Sequence, residues 1–242
     1  MEAKGIGATW LCSRCKAVYP EARERCPADG RRLIPNLRGH VFGRRWVVDR
    51  LLGVGGDGGS VWQASTSQHQ RNVALKVLPT TDQTAAQRFE RGARISGMLE
   101  HRHITGVIEH GREGDWFFLV MELLEGETLQ RYLARQNRLS PLEAATTADQ
   151  ILQALEYAHA MGVIHRDLKP ANVFVTSGAD GRTYAKLLDF GIAKQIAAED
   201  SARASSALTS SDAPLDRDSE DGERLHITQQ NQILGTPEYM AP

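Results

Sequence analysis

The sequence predicts an α+β fold, a sheet-rich first half followed by a helical second half with a cleft between them. Three observations carry this. The runs RRWVVDRLL, VWQAST and NVALKVL are short, β-branched and separated by Gly-rich or polar turns, which is how the strands of an antiparallel sheet read. WFFLVMELL is a further strand-like apolar run. In SPLEAATTADQILQALEYAHAMG, Ser140 serves as N-cap, Pro141 takes the first helical position, Glu143 completes a capping box and Gly162 lies just past the end.

In chain order, a Cys/Arg-rich head covers residues 1–38, the strand-rich part residues 39–124 and the helical part residues 125–242. Between the third strand and WFFLVMELL lies AAQRFERGARISGMLEH, a helical segment weakened by Gly92 and Gly97 at about 1 kcal/mol each relative to alanine. Leu142, Ala145, Ile151, Leu155 and Ala158 fall on roughly one face of the capped helix, which marks that face for the core. Residues 197–224 are rich in Ser, Asp and Ala and lack aromatics, so they cannot bury enough apolar surface to offset ordering and read as a flexible insertion.

Composition excludes several functions. The chain has 242 residues, with 29 Lys and Arg against 30 Asp and Glu, giving a net charge of -1. Neither a nucleic-acid footprint nor a polybasic membrane anchor is expected from that balance. No apolar run reaches the roughly 20 residues that span a bilayer, and the start of the chain lacks signal-peptide features, so a cytoplasmic location is expected. All three cysteines precede residue 30, an odd count that suits reduced thiols or a metal site better than disulfides.

The chemistry concentrates in VIHRDLKPANVFV, residues 163–175, and in LLDFG ending at Asp189, Phe190 and Gly191. Upstream stand LGVGGDGGSV and VALK, and the chain closes on GTPEYMAP. These five motifs, in this order, resemble the bacterial eukaryotic-like (Hanks-type) Ser/Thr protein kinases, over residues from about 39 to 242. The resemblance implies a bilobal protein-kinase-like fold and transfer of the γ-phosphate of ATP, with Mg²⁺, to Ser or Thr hydroxyls of protein substrates.

By that resemblance, Asp167 orients the acceptor hydroxyl, Lys169 touches the γ-phosphate and Asn172 and Asp189 ligate Mg²⁺. Lys76 meets the α and β phosphates, and Gly53, Gly55 and Gly58 belong to the phosphate loop. Val61, Ala74 and the gatekeeper Met121 surround the adenine, with Glu122 and Leu124 supplying hinge backbone groups. Arg166 is the arginine that pairs with an activation-segment phosphate, expected on Thr228, whereas Thr236 is expected to contact Asp167 and Lys169. The family continues past GTPEYMAP into helices of the large lobe, so the resemblance implies an incomplete C-terminal lobe with the apolar face of the Ser140–Met161 helix exposed, and hence poor solubility or a need for a partner.

Three positions depart from the family pattern. Gly92 stands where a helix glutamate pairs with the strand lysine, Ser96 replaces an apolar residue facing the Phe of Asp-Phe-Gly, and one extra residue separates Gly53 from Val61. These departures keep open a second reading, a kinase-fold nucleotide-binding or scaffolding protein with little transfer activity. The head, Cys12-x-x-Cys15 and Cys26-Pro-Ala-Asp29-Gly30, resembles a small zinc ribbon with Asp29 in place of a fourth cysteine. A Cys₃Asp zinc site is the implied reading, beside the alternatives of a metal-free ribbon or an arm with free thiols, and the head is expected to offer a surface to a partner.

Overall fold

Strand β5 (Trp46–Val54), with burial alternating along its first half, begins the central sheet and follows the short β4 (Val41–Phe42). The structure is a computed structural model that describes residues 9–55, 59–66, 71–79, 83–177 and 183–190, the side chains of 83–88 and 177 excepted. Before the sheet lie three short strands of the head, β1 (Trp10–Cys12), β2 (Val18–Tyr19) and β3 (Leu33–Pro35), in the order β2-β1-β3. After β5 come β6 (Ser60–Ser65), β7 (Asn72–Pro79), helix α1 (Gln83–Gly97), β8 (Val107–Glu113) and β9 (Trp116–Glu122). Strands β4 to β9 form one antiparallel sheet in the order β4-β5-β6-β7-β9-β8.

Alternation gives this sheet two faces with different tasks. On one face Trp62, Val73, Leu75, Val77, Phe118 and Val120 build a core with Phe42, Trp46 and Val48. On the other, Ala74, Phe117, Leu119 and Met121 pack with Phe89 and Ala93 of α1. The rings of Phe89 and Phe117 stack at 4.8 Å.

The second half holds β10 (Gly126–Thr128), α2 (Leu129–Gln136), α3 (Pro141–Ala160), a 3₁₀ turn (Pro170–Asn172), β11 (Val173–Ser177) and β12 (Thr183–Leu187). β10, β11 and β12 make a small antiparallel sheet, on which α3 lays Ala154 and Ala158 within a core shared with Val173, Ala185, Leu187 and Phe190. The N-cap forms as the sequence implies: Glu143 N–H donates to Ser140 Oγ at 3.2 Å and Ser140 N–H to Glu143 Oε2 at 2.8 Å. Gly162, at φ 74°, closes the helix.

Two expectations change. The buried face of α3 runs through Thr147, Ala154 and Ala158 rather than through Leu142 and Ala145, which are exposed, because the small sheet meets only the C-terminal turns. Helix α1 starts earlier than the apolar pattern suggests and stops at Gly97. Residues 197–224, Gly58, Gly191, Thr228, Thr236 and GTPEYMAP lie outside the described residues. No helix among the described residues is long and apolar enough to cross a membrane.

Candidate active site and head metal site

The loop after α3 is built around a buried histidine. His165 is 2% exposed, its Nδ1 accepts the Asp167 N–H at 3.3 Å, and its Nε2 therefore donates to Leu188 O at 2.9 Å. Burial pulls its pKa below the ordinary imidazole value, which keeps the ring neutral. Its ring lies 4.8 Å from Phe190. Leu188 N–H in turn donates to Asn172 O at 2.9 Å, so the loop and the segment leading to Asp189 are tied twice.

These ties bring three predicted residues together. Asn172 Nδ2 donates to Asp167 Oδ2 at 3.0 Å and to Asp167 O at 2.8 Å, and Lys169 Nζ sits 2.9 Å from Asp167 Oδ2. The Asp167 side chain is 14% exposed, so its charge is held by partners rather than by water. Arg166, just before it, takes a left-handed φ of 60°.

Across the cleft, Lys76 Nζ pairs with Asp189 Oδ2 at 2.9 Å. Lys76 lies opposite Val61 on β6 and Leu119 on β9. Asp189 has φ 43°, an uncommon conformation for a residue with a side chain, of the kind that clusters at working sites. Gly92, on the buried side of α1, brings no carboxylate to this pair.

The expected adenine residues Val61, Ala74 and Met121 share one apolar cluster with Leu52 and Leu123. Sequence reasoning missed Leu52 and Leu123; their place at the end of a strand and just after another was the available signal. Gly53 pairs with Val61, and a bulge between Leu51 and Gly53 absorbs Leu52, so the strands close before the loop begins. Gly55 N–H donates to Gly59 O at 2.9 Å, closing that loop. Glu122 N–H donates to Gly106 O at 2.9 Å, and the Glu122 carboxylate binds Lys186, a pairing the sequence did not suggest. Leu124 follows in the irregular segment between β9 and β10, half-buried. Behind Met121, Ser96, Thr105, Val107, Leu187 and Phe190 line a small pocket.

In the head, Cys12, Cys15, Cys26 and Asp29 converge, with their ligand atoms within 4.8 Å of one another. Two knuckles repeat one pattern: Lys16 N–H donates to Cys12 O at 3.1 Å and Gly30 N–H to Cys26 O at 2.9 Å, each from a left-handed residue, at φ 63° and 69°. The Cys15 and Cys26 sulfurs are 3.6 Å apart, and the Cys12 thiol donates to Asp29 Oδ2 at 3.2 Å. A tetrahedral zinc with Zn–S of about 2.3 Å needs S–S edges of about 3.8 Å and S–O edges of about 3.5 Å. The donor set therefore fits that ion in number, chemistry and size. The Tyr19 hydroxyl beside Cys26, 3.3 Å from its sulfur, holds that thiol below its ordinary pKa. At Cys15 the Ala17 backbone favours the thiolate, but the neighbouring cysteines and burial outweigh it and push the thiol up to about 11.

A six-stranded sheet with an α1-type helix, facing an Asp-Lys-Asn loop across a Lys–Asp ion pair, is a protein-kinase-like architecture. The comparisons agree. The protein kinase domain family matches residues 46–242. The chain is 35% identical over 212 residues to the serine/threonine-protein kinase PknA of Mycobacterium tuberculosis, covering 84% of this chain and 42% of that protein. It is 36% identical to pkn2 of Myxococcus xanthus, covering 84% of this chain and 22% of that protein, and 33% identical to PrkC of Bacillus subtilis, covering 85% and 28%. The crystal structure of the Mycobacterium tuberculosis PknI kinase domain is similar with a TM-score of 0.57 and 29% identity, over 68% of this chain and 69% of that one. The chain belongs to the protein kinase domain family, and the curated relatives it matches are named Ser/Thr protein kinases. It spans less than half the length of those relatives.

Proposed function

We propose that residues 39–124 and 125–242 are the two lobes of a Ser/Thr protein kinase core that uses Mg-ATP in the cytoplasm. The observation that carries this reading is the clustering of Asp167, Lys169 and Asn172 opposite the Lys76–Asp189 ion pair. Leu52, Val61, Ala74, Met121 and Leu123 receive the adenine, with the Glu122 carbonyl and the Leu124 backbone at its edge. Gly53, Gly55 and Gly58 bring backbone N–H groups close to the phosphates, and Lys76 neutralises the α and β phosphates.

Asn172 uses its amide nitrogen on Asp167, which leaves its carbonyl oxygen to join an Asp189 carboxylate oxygen as hard ligands suited to Mg²⁺. When bound, that ion offsets charge on the phosphate oxygens. Asp167 accepts the hydrogen bond of a substrate hydroxyl and holds its oxygen in line. As the new oxygen–phosphorus bond forms and the bridging bond breaks, ADP leaves and the hydroxyl proton passes to Asp167. Lys169, held beside Asp167, meets the γ-phosphate, and Arg166, by the family resemblance, pairs with a phosphate on Thr228.

The Lys76–Asp189 contact favours a second reading. Asp189, the residue assigned to Mg²⁺, is also paired with Lys76, and Gly92 stands where the family pattern has its helix glutamate, so nucleotide binding with slow transfer is the competing outcome. Transfer of labelled phosphate from Mg-ATP to a basic protein, set beside an ATP-binding titration, tests both. Transfer that Asp167→Asn reduces by at least about a hundredfold, in line with loss of a general base, supports the kinase. Equal silence of both forms with retained ATP binding supports the second reading.

The Cys12, Cys15, Cys26 and Asp29 cluster supports a structural zinc site in a small head module spanning residues 1–38. Four protein ligands leave no open position for chemistry, which is the mark of a structural rather than catalytic metal.

A further inference from the structure

We propose that the N-terminal head is a metal-dependent brace of the ATP-binding lobe, its docking partner being the outer face of the lobe's own sheet. The inference rests on the zinc reading of the head. Strand β1 pairs with β3 so that Leu11 faces Ile34 and Cys12 faces Leu33. Because neighbouring residues on a strand point to opposite sides, this two-strand unit has two faces with separate roles. Cys12 and Leu33 turn inward, into a cluster with Cys26, Trp10 and Tyr19 at the metal site. Leu11 and Ile34 turn the other way.

On that other side they leave the head altogether. Leu11, 0% exposed, belongs to the same core as Phe42, Trp46, Val48, Trp62, Leu75, Phe118 and Val120, with Ile34 packed against it. Leu37, 1% exposed, continues that contact into the connecting segment. Backbone bonds hold each side of the join: Asn36 N–H donates to Thr9 O at 2.9 Å within the head, while Gly39 N–H donates to Val48 O at 2.8 Å and Val48 N–H to His40 O at 2.9 Å at the start of the lobe. The covered strands are those that carry the nucleotide site on their reverse face. Trp62 adjoins Val61, and Leu75 lies between Ala74 and Lys76.

A head of this size, with strands of two or three residues, cannot bury enough surface to hold its own shape, and segments shorter than about 40 residues usually need a metal or disulfides. Its cysteines form no disulfide. Metal binding is therefore the folding energy of the head, and the folded head is what keeps Leu11 and Ile34 seated on the sheet. Loss of the metal uncovers an apolar sheet face behind the nucleotide site. By linkage, the folded lobe raises the head's affinity for metal by the same factor.

The test uses the full chain and three readouts: zinc content per chain, amide hydrogen exchange in residues 46–79, and the melting temperature. The expected result is one zinc per chain, with chelation speeding exchange at least tenfold in residues 46–79 and lowering the melting temperature by about 5 °C or more. Leu11→Ser and, separately, Ile34→Ala are expected to retain zinc while exchange in residues 46–79 becomes fast and insensitive to the chelator. Zinc bound at one equivalent, with chelation confined to faster exchange in residues 9–38, overturns the brace and leaves the zinc site standing. Absence of zinc overturns both.

Discussion

At the scale of single residues, Ser96 shows what a departure from the family pattern does. It is 6% exposed, it lines the pocket beside Phe190, and its Oγ has no hydrogen-bond partner among the described residues. A buried hydroxyl without a partner costs about 1–3 kcal/mol, and serine is also a poorer helix former than alanine. Ser96→Ala is therefore expected to stabilise the protein by about 1 kcal/mol, a rise of roughly 2–4 °C in melting temperature. A lower melting temperature would show that the hydroxyl is satisfied. The position was legible in the sequence as a polar residue where an apolar one belongs; its lack of a partner was not, because that depends on what Thr105, Leu119 and Met121 present from other elements. His165 is the converse case. Its place in the motif was plain, but its bonds to Leu188 and Asp167, which hold the loop together, appear only once the segments meet.

Between elements, the Lys186–Glu122 pair on β12 and β9 links the two ends of the proposed nucleotide site. Lys186 Nζ lies 2.5 Å from Glu122 Oε1, which also accepts the Gly106 N–H at 2.8 Å. Glu122 begins the proposed adenine-binding hinge, and Lys186 stands three residues before Asp189 at the proposed phosphate end. The segment between α1 and β8 completes the frame, since Thr105 N–H and Oγ1 both donate to Leu187 O, at 3.0 and 2.9 Å. Both side chains of the pair are partly shielded, at 20% and 32% exposure, so the interaction is stronger than a surface ion pair. Lys186→Met is expected to weaken Mg-ATP binding by about threefold to tenfold, or roughly 0.7–1.4 kcal/mol, while leaving adenosine and inorganic triphosphate bound as before. Lys186→Arg should restore most of the loss. Calorimetric titration of the three ligands checks this, and equal weakening of all three would reduce the pair to a general stabilising contact. Sequence alone gave strong notice of α3, through its capping box, and of β5, β6, β7 and β9, through their β-branched alternation. It gave little of β8, whose VIEHGRE is mostly polar, or of the head strands, whose two or three residues are too short to show a period.

For the molecule as a whole, the protonation of one buried and two half-buried histidines couples both halves to pH. His165 in the catalytic loop, His40 between the head and β5, and His101 after α1 all have pKa values below the ordinary 6.5, each chiefly because burial disfavours the charged ring. Asp167 and Asp189 near His165, and Glu113 near His40, oppose the shift without reversing it, whereas His103, Arg102 and Lys186 reinforce it at His101. A group that binds its proton more weakly when folded favours the unfolded chain once protons are plentiful. The stability these rings permit is thus complete above pH 6.5 and falls as pH drops below it. Carboxylates act lower on the scale: Glu143, held below its ordinary 4.5 by the Ser140 cap, and Asp29, held below 3.8 by the Arg31 backbone N–H, lose their contribution only at more acidic pH. Two stages of acid unfolding are expected, with melting temperature nearly constant from pH 8.5 to about 7, declining by several degrees between about pH 6.5 and 5.5, and declining again below about pH 4.5. Denaturation midpoints measured across that range check the shape. His165→Asn should flatten the first stage and leave the second in place, because it removes one of the three rings while the Ser140–Glu143 cap and Asp29 are untouched. A stability that rises between pH 7 and 5.5 would mean that carboxylate partners, and not burial, govern these histidines.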